Sequence, residues 1–281
     1  MHKFLRAIGF SDITKKDLEM ILDEVITRPE IMKITKDSEG NEFAELSGSF
    51  AANAGITVRG TYQEDDSFHM DYYYPYVFGT SITTNEQIDV EKHAEKESYA
   101  GVCDEVNLGV TLIFYIQNVA DYLAETNRHL SKIHYGAMLA GLSTEGKILC
   151  PVVERKKNDV PAIQKNDRHN QLIAQAREGD EDAIESLTLE DMDTYALLSQ
   201  RVMKEDIFSI VKSTFMPFGI ESDQYTVLGE IIDCVTMENK LTHEKLYGMK
   251  LLCNNIQFDV CINEKDLLGE PAIGRRFRGN V

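Results

Sequence analysis

The sequence predicts an α+β protein: an N-terminal antiparallel sheet with packed helices, a helical connector, and a C-terminal small β-barrel-like module. Three observations predict this organisation. An amphipathic helical pattern opens the chain, short alternating runs typical of strands follow it, and four more alternating runs fill residues 225–281. Helices and strands that occupy separate stretches of a chain are typical of the α+β class.

The length and composition allow a two-part globular protein. The chain has 281 residues, of which 43% are apolar and 27% charged, so it can bury a sizeable core. The stretch 154–161 is polar, charged and broken by Pro161, which is the composition of a domain boundary. We therefore predict an α+β domain at 1–157, the helical connector at 158–221 and the β-barrel-like module at 222–281.

The first element is an amphipathic helix. Thr14 and Asp17 form a capping-box-like start, and apolar residues recur at helical spacing until Pro29 ends the pattern. Three strand candidates follow, at 42–50, 55–63 and 67–74. An acidic turn joins the last two as a hairpin, so we expect an antiparallel meander packed on the helix.

The rest of the predicted α+β domain is more mixed. We predict a helix or loop at 85–100, a long strand at 106–117 and a helix at 118–125. A last hairpin is predicted from the runs 135–142 and 146–153, which bracket a short polar turn.

The sequence predicts three helices in the connector and four strands in the C-terminal module. The helices are predicted at 168–177, at 180–187 with Asp180 as its cap, and from Thr188 onward. The strands are predicted at 226–234, 245–253, 256–262 and 275–281, with a tight turn at Asn254 and Asn255. A five-stranded barrel needs one more strand, for which 206–218 is the available segment.

Charge and cysteine content indicate the compartment and the partners. The formal net charge of −18 repels a phosphate backbone, so nucleic acid is a disfavoured partner. The strongest apolar run, 110–116, is far shorter than the about 20 residues of a membrane helix. The five cysteines form no Cys-x-x-Cys pair, and the N-terminus lacks a secretory apolar core. We expect a cytoplasmic protein without a membrane partner.

Two weak patterns could support catalysis. His93 and Glu95 form the His-x-Glu half of a zinc deaminase signature, but its Pro-Cys-x-x-Cys half is absent. Cys103, with Asp104 beside it and His93 upstream, could form a thiol and base pair if the side chains met in space. We predict no metal site and no cofactor, because the histidines are scattered and no phosphate-binding glycine loop occurs.

Two other patterns could form binding surfaces. Tyr72 and Tyr74 belong to the densest aromatic cluster, whose rings could stack on a ligand or simply suit a half-buried strand. Near the end of the sequence a phenylalanine stands among arginines, which are the ingredients of phosphate or single-strand binding. These residues are Arg275, Arg276, Phe277 and Arg278. Because residues 222–281 are net acidic, arginines that bridge to carboxylates are the favoured interpretation.

Several segments resemble a known family. The start of the chain, residues 1–10, the stretch 177–180 and above all 261–279 are similar to DUF3881, an uncharacterised bacterial domain of unknown function of about this length. The resemblance spans the whole chain and implies no activity and no site residues. Members of that family continue with a Trp-Leu-Gln-Gly-like strand, which allows a further strand beyond Val281.

We therefore expect a non-catalytic protein-interaction or scaffold protein. The hypothesis that the protein is an enzyme is less favoured. One alternative is an enzyme with a cryptic Cys/His/carboxylate site around residues 93–104. The other is weak nucleic-acid or phosphate binding by the C-terminal module. The sequence leaves the partner, the oligomeric state and the strand order open.

Overall fold

The chain folds as a mixed α+β protein, and in the part that the structure describes 48% of the residues lie in strands and helices are few. The computed structural model describes residues 2–92, 96–127, 136–152, 172, 175, 180–188, 211–219 and 223–281. Contacts divide the chain into two compact units, one made of Met1–Cys150 with Ser213–Val281 and the other of Pro151–Lys212. The predicted fold class is confirmed at the level of an α+β protein with antiparallel sheets.

The N-terminal sheet is a four-stranded antiparallel meander. Its strands are β1 Ile31–Lys36, β2 Glu42–Ala51, β3 Ala54–Tyr62 and β4 Phe68–Val77, paired in that order. The three predicted strands correspond to β2, β3 and β4. Sequence alternation did not reveal β1, because two adjacent apolar residues, Ile31 and Met32, interrupt it.

Helix α1, Lys15–Thr27, begins where the capping pattern predicts. The hydroxyl oxygen of Thr14 accepts the backbone N–H of Asp17 at 3.2 Å, which satisfies one of the free donors of the first turn. The buried face of α1 packs on β2 and β3 and consists of Leu18, Ile21, Leu22 and Val25. A locally encoded helix thus covers one face of the first sheet.

A second, three-stranded sheet precedes helix α2. It has the order β5-β6-β7, with β5 Asp89–Lys92, β6 Tyr99–Glu105 and β7 Val110–Tyr115, and α2 spans Val119–Asn127. The segment predicted as a helix or loop at 85–100 therefore contains a strand. Polar β5 is held as a strand by its pairing with β6, a long-range contact that local propensity does not encode.

The third and largest sheet joins strands from before and after residues 151–212. Its strands are β8 Ala140–Ser143, β9 Glu145–Leu149, β10 Thr214–Pro217, β11 Tyr225–Glu238, β12 Lys245–Cys253, β13 Ile256–Asn263, β14 Leu267–Leu268 and β15 Arg276–Asn280. The order is β14-β9-β15-β11-β12-β13-β8, with β10 paired to β11. The described strands do not close into a barrel, so the barrel-like module stays a prediction.

The C-terminal strand β15 lies inside this sheet. It pairs antiparallel with β11 on one side and with β9 on the other. The β12–β13 hairpin turns at Asn254 and Asn255, whose φ values of +45° and +71° match the predicted turn, because asparagine tolerates this region.

In the second unit a helix covers residues 181–188. The Asp180 carboxylate accepts the backbone N–H groups of Asp182 and Ala183 at 3.0 and 3.2 Å, which is the predicted cap. Thr188 is the last residue of this helix, and the rest of the helix predicted to start there lies outside the described residues, as does nearly all of the one at 168–177.

Candidate binding cleft

Two of the four residues of the predicted catalytic group, Cys103 and Asp104, lie within the described structure. His93 and Glu95 lie outside the described residues. Cys103 and Asp104 are neighbours in β6 and therefore point to opposite faces of the sheet. Cys103 is 1% exposed, whereas Asp104 is exposed and accepts a hydrogen bond from the Thr111 hydroxyl at 2.6 Å.

The Cys103 thiol is also poorly suited to nucleophilic attack. Burial raises its pKa, and the nearby carboxylates of Glu105 and Glu86 raise the pKa further. The thiolate is the reactive form of cysteine, so a raised pKa lowers the reactive fraction at neutral pH. Cys103 is therefore in the environment of a core thiol.

The two tyrosines of the predicted aromatic surface belong to an internal network. Their hydroxyl oxygens each accept an N–H of the Arg59 guanidinium at 2.8 Å. Tyr72 also donates to the carbonyl of Glu97 at 2.8 Å, and Tyr74 to the carbonyl of Gln117 at 3.0 Å. The guanidinium carbon lies 5.6 and 4.6 Å from the two ring centroids, within cation–π distance.

A buried ion pair stands at the centre of that network. Arg59 and Glu45 are 3% and 4% exposed, and the Arg59 Nε donates to Glu45 Oε1 at 2.7 Å. The Glu45 carboxylate also accepts the backbone N–H groups of Val119 and Ala120 at 3.1 and 3.0 Å, at the start of α2. A negative charge at a helix N-terminus is favourable, so both buried charges are compensated.

The C-terminal arginine cluster is divided between surface and interior. Phe277 is fully buried in the core of the largest sheet. Arg276 is 5% exposed, and its Nε donates to the carbonyl of Cys150 at 3.0 Å. Arg275 is exposed and donates to the carbonyl of Glu270 at 2.7 Å, and Arg278 is half-buried. The structure thus keeps the Phe277 ring away from the surface.

One concave feature of the described first unit is an open apolar cleft whose volume, counted with the solvent space at its mouth, is about 460 Å³. Its walls come from β7 and from the residues around β8, and four aromatic residues line it: Phe114, Phe215, Tyr225 and Phe258. Ring centroids are 4.7 Å apart between Phe215 and Tyr225, and 5.6 Å apart between Phe215 and Phe258. These distances are typical of packed aromatic pairs.

Tyr225 fixes one wall of the cleft. Its hydroxyl accepts the backbone N–H of Ile113 at 2.7 Å and donates to the carbonyl of the same residue at 3.1 Å. Burial raises the pKa of Tyr225, so the hydroxyl keeps its proton. The main chain of β7 is therefore held by a side chain of β11.

One acidic side chain borders this apolar lining. Asp223 lies two residues before Tyr225 and is half-buried. Within the described part of the chain no hydrogen bond or ion pair to its carboxylate is present. Neither the cleft nor Asp223 was predicted, because the lining residues come from five separate strands and carry no common motif.

The described residues contain neither a metal-binding cluster nor a membrane-spanning helix. No group of three or more His, Cys, Asp and Glu side chains is arranged to hold a metal ion there. No described helix combines the length and the apolar character required to cross a membrane.

The fold and the cleft define a strand-rich α+β protein with an apolar cleft bordered by a carboxylate. The chain belongs to the family DUF3881, described as a domain of unknown function with an E. rectale gene description, whose model matches residues 5–281. The family resemblance found in the sequence is thereby confirmed. No curated protein and no solved structure matches the chain.

The buried ion pair leads to a stability prediction. Arg59→Met leaves the Glu45 carboxylate buried without its main partner, so we expect a loss of about 3–5 kcal/mol in the free energy of unfolding. Lys240→Met is the matched control, because it removes the cation of an exposed pair with Glu30 and should cost about 0–1 kcal/mol. Urea denaturation followed by circular dichroism measures both values. Equal losses in the two variants would contradict the role given to Arg59.

The environments of the cysteines lead to a reactivity prediction. In the native protein at pH 8 we expect iodoacetamide to modify exposed Cys150 first. Buried Cys103 should react much more slowly, as should Cys253 and Cys261, whose pKa values burial raises to about 12. Mass spectrometry of proteolytic fragments measures each rate, and the urea-unfolded protein is the control in which all five should react. Modification of native Cys103 as fast as Cys150 would show that its thiol is accessible and ionised.

Proposed function

We propose that this protein is a non-catalytic, cytoplasmic binding protein whose cleft accepts an apolar group of a partner protein. The observation that carries the proposal is the cleft itself, an apolar hollow lined by half-buried Phe114 and by the buried rings of Phe215, Tyr225 and Phe258. Concave apolar sites with few polar groups are the usual form of ligand sites. Burial of an apolar group there would contribute about 0.8 kcal/mol for each CH2 removed from water.

The chemistry of the lining supports binding rather than catalysis. The ionisable side chains of the lining are Asp223 and Tyr225. The Tyr225 hydroxyl is bonded to the main chain of Ile113 through both its donor and its acceptor functions. A positioned acid–base or nucleophile–base pair, which an enzyme of general acid–base or covalent type needs, is not formed by these two groups.

The state of the cysteines supports the cytoplasmic assignment. All five are unpaired: Cys103, Cys150, Cys234, Cys253 and Cys261. Free thiols, three of them buried, are typical of proteins kept in a reducing compartment.

The proposal is tested with a neutral apolar fluorescent probe, N-phenyl-1-naphthylamine, whose emission rises in apolar surroundings. We expect the wild-type protein to bind it and Leu139→Lys to weaken binding at least about tenfold, because the new ammonium group would have to be desolvated in the cleft. Leu241→Lys makes the same replacement at a 51% exposed position outside the lining and should bind as the wild type does.

Circular dichroism and thermal unfolding establish that both variants are folded. Absence of probe binding to the wild type, or equal binding by Leu139→Lys, would refute the assignment of the cleft.

A further inference from the structure

The Asp223 carboxylate is placed where a positive charge would be attracted strongly. It lies on the lining of an apolar cleft, and no described residue donates a hydrogen bond to it. The attraction between opposite charges rises as the surroundings become less polar, so a cation bound beside Asp223 would be held more tightly than one on an open surface.

The aromatic rings nearby favour the same kind of ligand. Phe215 and Tyr225 pack against each other beside Asp223, and both line the cleft. Ring faces attract ammonium and guanidinium groups, and they also accept the alkyl chains that carry them. The lining therefore offers an apolar surface and a negative charge side by side.

The side chains of His2 and Lys3, the basic residues near Asp223, make their hydrogen bonds with groups other than its carboxylate. Burial is the main cause that lowers the pKa of His2, with the charge of Lys3 second, so the imidazole is neutral at pH 7. The Lys3 ammonium group donates to the side-chain oxygen of Gln224 at 3.1 Å. The whole chain has a formal net charge of −18, which attracts cations at long range.

The surroundings of the cleft fit an extended peptide. A second hollow with an empty volume of about 380 Å³ shares Val281 with the cleft. It is lined by polar side chains, among them Lys3, Thr144, Gln224 and Asn280. Polar groups next to an apolar cleft can bind the peptide groups of a segment whose side chain fills the cleft.

We propose, building on the function proposed above, that the cleft binds a partner peptide in which an apolar side chain stands next to a lysine or arginine. The apolar side chain occupies the aromatic lining, and the cation pairs with Asp223. Asp223 thereby determines which partner segments the cleft prefers.

The experiment measures displacement of bound N-phenyl-1-naphthylamine by two capped dipeptides, N-acetyl-phenylalanyl-lysine amide and N-acetyl-phenylalanyl-norleucine amide. The two differ in the ammonium group. We expect the lysine peptide to displace the probe at an about tenfold lower concentration, and we expect added salt to reduce the difference. Asp223→Asn should abolish the preference, which is measured within that variant as the ratio of the two displacement concentrations.

The matched control is Asp233→Asn, which removes the same charge at an exposed position outside the lining and should keep the preference. Equal displacement by both dipeptides, with the probe still bound, would overturn this inference and leave the proposed function standing. Tighter displacement by free phenethylammonium than by the lysine peptide would overturn the peptide assignment. A wild-type protein that binds no probe at all would instead refute the proposed function.

Discussion

The buried pair of Arg59 and Glu45 is the interaction on which the arrangement of the N-terminal region depends. The two residues are directly opposite each other in β3 and β2, and together they bond to β4, to the start of α2 and to the carbonyls of Ile116 and Gln117. Burial of two charges is costly unless nearly every donor and acceptor is satisfied. That requirement fixes the positions of the elements that supply the partners, including the chain that leaves β7.

The wall of the cleft is held by polar bonds although its lining is apolar. Arg59 binds the main chain just after β7, and Tyr225 binds the main chain of Ile113 within it. Apolar packing alone tolerates sliding of a strand, because hydrophobic contacts have no preferred direction. Directional bonds at two points hold β7 in one position, so the hollow between β7 and the largest sheet keeps a defined shape.

The sequence predicts features that are encoded locally. The start of α1 follows from Thr14, and the β12–β13 turn from two asparagines. Strand β5 and the cleft could not be predicted, because pairing between distant segments creates them; Phe114, Phe215 and Phe258 share no local pattern.

The Arg59–Glu45 pair had a signal that was missed. Both charges stand in apolar surroundings in adjacent predicted strands, and an antiparallel hairpin register brings them together.

The internal position of β15 has a consequence for how the protein is made. Its residues pair with β9, more than a hundred positions earlier in the chain, as well as with β11. During synthesis β9 leaves the ribosome long before its partner β15 has been made. Until then the main-chain N–H and C=O groups on that edge of β9 are unpaired. Such distant pairings slow folding and expose strand edges to other chains. The largest sheet is therefore completed only after residues 276–280 have left the ribosome, and until then the nascent chain has an edge that chaperones would have to protect.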